Sequence, residues 1–173
     1  MAKGLENILS KCPICKQKYT LSTQNRDIFC KNCGKVASID ERYNFVSNKP
    51  FANFAEWYKW QSQELRREIE ENPDYALTSE VTLKHPSLDG KTFLRVAGEG
   101  VCTLNREGLR YVGTEDGETV EKLFPMTEIY RLLFGAGENF EIYQGRQMYF
   151  FVPREPKSSV DWYIASKILK DEK

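Results

Sequence analysis

The sequence predicts a mainly β protein with two helices: a small cysteine-clasped ribbon, a linking helix, and a seven-stranded barrel capped by a C-terminal helix. Three observations carry that expectation. Four of the five cysteines stand as two CxxC pairs separated by 14 residues. From residue 76 onward, short alternating apolar runs recur between turn signals, the pattern of half-buried strands. Helical periodicity shows in two stretches, one before and one after that strand-rich segment.

The chain of 173 residues has room for one ordinary domain and a small satellite, because single cores typically take about 100–150 residues. Its 25 basic and 25 acidic residues cancel, which excludes a polycation that binds nucleic acid through charge over its whole length. The balance is uneven along the chain. Residues 1–50 hold nine Lys/Arg against four Asp/Glu, and residues 73–155 hold nine against thirteen, so a mildly basic head precedes a mildly acidic body. No run of 18 apolar residues is present to span a bilayer, and the opening MAKGLENILSK is too polar for a signal peptide. The expectation is a cytoplasmic protein, with peripheral attachment at the inner face of the membrane as its lipid-facing variant. In that compartment CxxC thiols hold metal in preference to forming disulfides.

The first unit, residues 1–48 with a core at 10–40, is expected to be a zinc ribbon. KYTLST, DIFCK and KVASID read as short strands that need a metal to be stable. Cys12, Cys15, Cys30 and Cys33 supply a tetrathiolate for one structural Zn2+, with Gly34 suited to a left-handed turn after the second pair. A redox CxxC belongs in a βαβ context and does not come in duplicate. Iron held by the same four thiolates is the chemical alternative. Four sulfurs leave no open position for water, which argues against catalytic zinc. Cys102, within GVCTLN, reads as core filler. Lys11, Lys16, Lys18, Arg26, Lys31 and Lys35 raise a nucleic-acid reading, against which stands the plainer one of a solvated basic surface.

Residues 49–74 are expected to be a linker and an aromatic amphipathic helix. Asn53 with Glu56 three residues later reads as an N-cap with its capping-box partner, and Asn72-Pro73 stops the helix. Phe54, Trp57, Tyr58, Leu65 and Ile69 form one apolar face. Trp57 and Trp60 are the docking candidates: packing on a neighbouring domain is preferred over base stacking or a membrane interface.

Residues 75–173 are expected to form the barrel and its helix. The predicted strands are EVTLKH, KTFLRVA, GVCTLN, LRYVGT, TVEKLF, NFEIYQ and QMYFFV, separated by SLDG, GEG, NREG, EDGE, GAGEN and QGR. FPMTEIYRLLFGAG reads as an ordered crossing or short helical turn before the sixth strand. Ser158 or Ser159 can cap a last helix whose stripe holds Val160, Trp162 or Tyr163, Ile168 and Leu169. Seven antiparallel strands followed by a helix is the order of a PH-like or GRAM-like barrel, in which the helix plugs one open end. Lys84, Lys91 and Arg95 near the first hairpin are the candidates for holding an anionic lipid head group, although the acidity of this unit works against strong membrane attraction.

No catalytic residue emerges from the sequence, and the chain is not expected to be an enzyme. The single histidine, His85, has Asp89 four residues on, where the acyltransferase HxxxxD motif needs five; KHPSLDG reads instead as a strand end and turn. No GxSxG, P-loop or Rossmann glycine pattern is present.

The order CPICKQKYTL, IFCKNCGKVASIDERYNFV, FAEWYKWQ, GEGVCTLNREGLRYVGTEDGE and GENFEIYQGRQMYFFVP resembles the C-terminal zinc-ribbon and PH/GRAM-like extension of Firmicutes 1-acyl-glycerol-3-phosphate acyltransferase-like proteins. The likeness covers nearly the whole chain. It implies a phospholipid-synthesis context in which a separate catalytic domain, in cis or in trans, performs the acylation. No catalytic position carries over. The resulting expectation is a bacterial, non-catalytic accessory region acting in protein docking or anionic-lipid binding. Its rivals are a nucleic-acid-binding zinc-ribbon protein, and a part of an acyltransferase whose catalytic domain lies outside this chain.

Overall fold

The computed structural model describes residues 2–47, 49–87 and 92–171. The head opens with one 3-10 turn, Leu5–Asn7, followed by an antiparallel sheet of β1 (Leu21–Gln24), β2 (Asp27–Cys30), β3 (Gly34–Ile39) and β4 (Phe45–Ser47), paired in chain order. β4 was not predicted, since three residues are too few to show an alternating pattern. Leu9, Leu21, Ile28, Val36, Ile39 and Phe45 make its small core, which is completed from outside by Trp57.

Trp57 belongs to α1 (Phe54–Glu70), where the Asn53 side chain accepts a hydrogen bond from the Glu56 amide at 3.0 Å, as the capping pattern predicts. The buried stripe is Trp57, Gln61, Leu65 and Ile69, one residue per turn. Trp57 enters the core of the head, whereas Leu65 and Ile69 enter a second, larger cluster. One helix is therefore shared between two cores. Gln61, polar and unforeseen in the apolar stripe, sits at the changeover.

The body is a seven-stranded antiparallel sheet of β5 (Leu77–Pro86), β6 (Leu94–Leu104), β7 (Gly108–Glu115), β8 (Glu118–Pro125), β9 (Leu133–Gly135), β10 (Asn139–Gln144) and β11 (Gln147–Pro153). The strands lie in the order β8-β7-β6-β5-β11-β10-β9. The expected closure into a barrel is not formed: β8 and β9 are edges, and no ladder joins them among the described residues. β9 has only three residues, and the last helix, α2 (Ser159–Asp171), covers the sheet against β9, β10 and β6. The helix thus buries the core without hydrogen-bond closure of the strands.

Two of the predicted strands are one. KTFLRVA and GVCTLN merge into β6, and GEG is no turn but its middle. A Cβ on Gly98 would lie 1.8 Å from the Thr114 carbonyl oxygen, and one on Gly100 would lie 2.4 Å from that of Val112. These glycines permit a close approach of β6 to β7, a role that in sequence looks the same as a turn. The seventh strand is instead β9, within the segment read as a crossing.

α2 follows a 3-10 turn, Pro156–Ser158, whose N-cap is Glu155: its carboxylate accepts from the Lys157 amide at 3.1 Å. Ser158 and Ser159 do not cap the helix. The Ser159 hydroxyl donates to Gly135 O and accepts from Gly137 N, holding the β9–β10 corner instead. α2 is buried around most of its circumference, including Val160, Trp162, Ile164, Ile168 and Leu169, because it lies between the sheet on one side and α1 and the head on the other. Trp162 stacks on Phe140 at 4.2 Å and 11°. Among the described residues no helix is long and apolar enough to cross a membrane.

Candidate metal centre

The first CxxC lies in the turn before Lys18, where Cys12 accepts from the Lys16 amide and donates to Gln17 O, both at 3.0 Å. The second lies between β2 and β3, and Gly34 follows it at φ 75°, as its position after the knuckle suggested. The two turns face each other. The sulfurs of Cys12, Cys15, Cys30 and Cys33 all lie within 4.8 Å of one another, with Cys12–Cys33 at 4.0 Å and Cys15–Cys30 at 3.7 Å. A tetrahedron of metal–sulfur bonds of about 2.3 Å has edges of about 3.8 Å, so the sulfurs stand where a four-coordinate ion would hold them. A disulfide needs about 2.05 Å, and all five cysteines are free.

Charge points the same way. Burial pushes the Cys33 thiol up, and the neighbouring Cys15, Cys30 and Cys12 push it further, to about 12. Burial also raises Cys30, but the Thr20 hydroxyl at 3.2 Å, the Asn32 and Cys33 amides and Cys12 outweigh it and bring it down to about 6. Four thiols this close cannot all ionise without a cation among them. The Asn32 amide, 3.4 Å from Cys30 Sγ, and the Asn32 side chain, 4.0 Å from Cys15 Sγ, supply the outer hydrogen bonds typical of a metal–thiolate site. The four cysteines therefore can hold a metal ion, and their own geometry and hydrogen bonds fit it.

The centre is bolted to the rest of the chain. Directly before it, the Ser10 amide donates to Gln61 Oε1 at 3.0 Å, and Gln61 Nε2 donates to Ile8 O at 2.8 Å. The Trp57 indole donates to Lys11 O at 3.0 Å. Asp161 of α2, only 2% exposed, accepts from the Ser10 hydroxyl at 2.6 Å and the Tyr19 hydroxyl at 2.7 Å, with Lys18 at 3.6 Å. Burial and the facing Asp161 carboxylate drive the Tyr19 phenol far above its ordinary pKa, so it stays a donor. None of Ser10, Tyr19, Gln61 or Asp161 stood out in the sequence. Asp161 meets partners 142 and 151 residues away, and no local pattern encodes that.

The other predicted positions are dispersed. Trp57 is fully buried and thus presents no face for base stacking; Trp60 is partly buried, 5.4 Å from the Phe51 ring and 5.8 Å from the Lys11 ammonium. Lys84 lies within β5, and Lys91 lies outside the described residues. Arg95 is gripped by both oxygens of Asp116, at 2.5 and 3.0 Å. His85 is no turn residue: it lies within β5, 5% exposed, because its side chain points into the sheet's core face. Its Nε2 is 2.7 Å from Glu115, which in turn pairs with Lys122 at 2.8 Å. Cys102 is wholly buried, and burial raises its thiol well above its ordinary value, as expected of core filler.

No protein-family model matches this chain, and no curated protein matches it.

Proposed function

We propose that this chain is a non-catalytic accessory module in which one structural Zn2+ fixes the ribbon onto the helical side of the sheet, and that this assembled face docks a partner protein. The observation that carries the reading is the buried seam. Ser10, Lys11 and Tyr19, which flank the cysteines, are the residues that grip α1 and α2, so the ion holds the joint between the two parts. Zinc is favoured because it accepts four thiolates as a tetrahedron without any ligand-field preference. Four sulfurs complete that coordination, which suits an architectural ion and leaves no place for substrate.

Protein docking is favoured over the two rivals by the state of their cations. Of the six candidate basic residues of the ribbon, five are paired: Lys11 and Lys16 face Glu64, Lys18 faces Glu68 and Asp161, Arg26 faces Glu41, and Lys35 faces Asp27, while Lys31 makes no ion pair among the described residues. A surface neutralised by its own carboxylates has little left for phosphates. Arg95, bound by Asp116, is similarly engaged at the proposed lipid hairpin. The partner implied by the sequence resemblance is an acyltransferase catalytic domain, in cis or in trans.

The test has two parts. Protein purified without added metal should carry one zinc per chain by elemental analysis. The purified chain should retain an acyltransferase catalytic domain in a co-purification assay, and by itself should transfer no acyl group to lysophosphatidic acid. Turnover by this chain alone would overturn the accessory reading.

A further inference from the structure

We propose that the groove between α1 and α2 is the docking surface, and that its occupant is an acidic amphipathic helix of a partner protein. The proposal rests on the accessory reading above and adds where the partner binds and with what chemistry.

The groove is a hollow of about 220 Å³ with Ile164 and Ile168 in its floor and Tyr58, Lys59, Arg66 and Lys167 among its walls. Tyr163, Lys167 and Asp171 also line a neighbouring hollow of about 360 Å³, together with Tyr130, Arg131 and Lys170. Five cations thus line the two hollows, Lys59, Arg66, Arg131, Lys167 and Lys170, against one carboxylate, Asp171. The whole chain has a net charge of zero, so this face is a local concentration of positive charge.

Three of these cations, Lys59, Arg131 and Lys167, are also more available than many others on the surface. Arg26, Lys35, Arg110 and Arg154 each face a carboxylate of their own. Lys59, Arg131 and Lys167 make no ion pair among the described residues, whereas Arg66 pairs with Asp171 at 3.6 Å and Glu70 at 3.8 Å, and the Lys170 ammonium donates to the Ile129 and Tyr130 carbonyls. Beside them Tyr130 is 85% exposed, with the Lys170 ammonium 5.3 Å from its ring centre. A large aromatic ring in the open next to unneutralised cations is a common feature of binding faces.

The shape selects the occupant. Lys59 and Arg66 lie two turns apart on α1, about 10 Å at 1.5 Å per residue, so the charges run along a rim. A single phosphate group binds where cations converge on one point. A bilayer meets a flat or protruding face, whereas these residues surround a concavity. An apolar floor between basic rims fits a helix whose apolar stripe enters the groove at i, i+3, i+4 and i+7 and whose flanks carry carboxylates.

The experiment uses the full chain in its zinc-bound form and two fluorescein-labelled amphipathic peptides of equal length, with Leu on one face and either Glu or Lys on the other. Fluorescence anisotropy should show binding of the Glu peptide and not of the Lys peptide. The double variant Lys59→Glu/Lys167→Glu should weaken it at least tenfold, Tyr130→Ala several-fold, and Lys84→Glu not at all. The changed groove side chains are exposed or line the groove walls, and unchanged zinc content and thermal midpoint verify the fold. Absence of Glu-peptide binding, or equal binding by the double variant, would overturn the proposal. So would retention on phosphatidylglycerol vesicles or single-stranded RNA that is lost with the same reversals while the Glu peptide stays unbound. An acyltransferase catalytic domain retained equally by wild type and double variant would refute the groove but leave the accessory reading standing. One retained by neither would refute the accessory reading itself.

Discussion

The head and the body solve the same problem by different means. The body buries a cluster that includes Tyr111, Phe124, Phe140, Phe151 and Trp162 beneath strands of up to eleven residues, so hydrophobic burial suffices to hold it. The head has strands of three to six residues and a core so small that its largest side chain, Trp57, comes from α1. It depends on four sulfurs and on a borrowed helix. The comparison teaches that a small unit can be completed by a cysteine cluster fit to hold a metal and by a neighbour, and that the neighbour then becomes part of its fold.

The sharpest way to break this contrast is to keep the cysteine cluster from holding a metal. Chelation, or Cys30→Ser with Cys33→Ser, should unfold the head and leave the sheet, because structural zinc supplies on the order of 10 kcal/mol to such units. Amide signals of residues 10–47 should collapse in NMR spectra while those of β5–β8 persist. A metal-free head with native signals would end the distinction. Next in size is the reverse attack: Trp162→Ala, which removes the ring stacked on Phe140, should cost the body about 3–5 kcal/mol in urea unfolding. The zinc content of the folded fraction should not change.

The seam comes third. Asp161→Ala leaves the Ser10 and Tyr19 hydroxyls without their acceptor and Lys18 with Glu68 alone, at a cost of about 2–4 kcal/mol. Hydrogen exchange should accelerate across the head and α2 more than in β5–β7; uniform acceleration would mean that the two parts unfold as one.

The smallest effect concerns pH and the body alone. Burial opposes ionisation of Glu115, but Lys122 and His85 outweigh it and hold its carboxyl below the ordinary glutamate value. A group depressed in the folded state contributes stability above its unfolded pKa and loses it as pH falls through the folded pKa. Stability of the wild type should therefore decline below about pH 4.3, the ordinary glutamate value. Glu115→Gln should flatten that part of the curve, as read from urea midpoints between pH 6 and 3.

Much of this was legible in the residues. The cysteine spacing, the Asn53 cap and the alternation in LRYVGT and QMYFFV are local signals, and β7, β11 and the start of α1 follow them. Three of the misreadings share one cause. GEG and the serines before α2 have the composition of turns and caps, but each is occupied by a long-range contact: Gly98 against Thr114, Ser159 against Gly135. His85 looked like a turn residue because its partners, Glu115 and the Met148 carbonyl, are 30 and 63 residues away.

The sequence by itself determined the two cysteine knuckles and most of the strands, because knuckle turns and strand alternation are set by neighbours a few residues apart. Only the tertiary structure decided that the sheet stays open, that Asp161 joins the head to the body, and that Lys59 and Lys167 meet at the α1–α2 face with no carboxylate partner among the described residues. Those outcomes depend on which distant side chains meet once the strands have paired, and a carboxylate's or a lysine's partner is chosen by that meeting and not by its place in the chain.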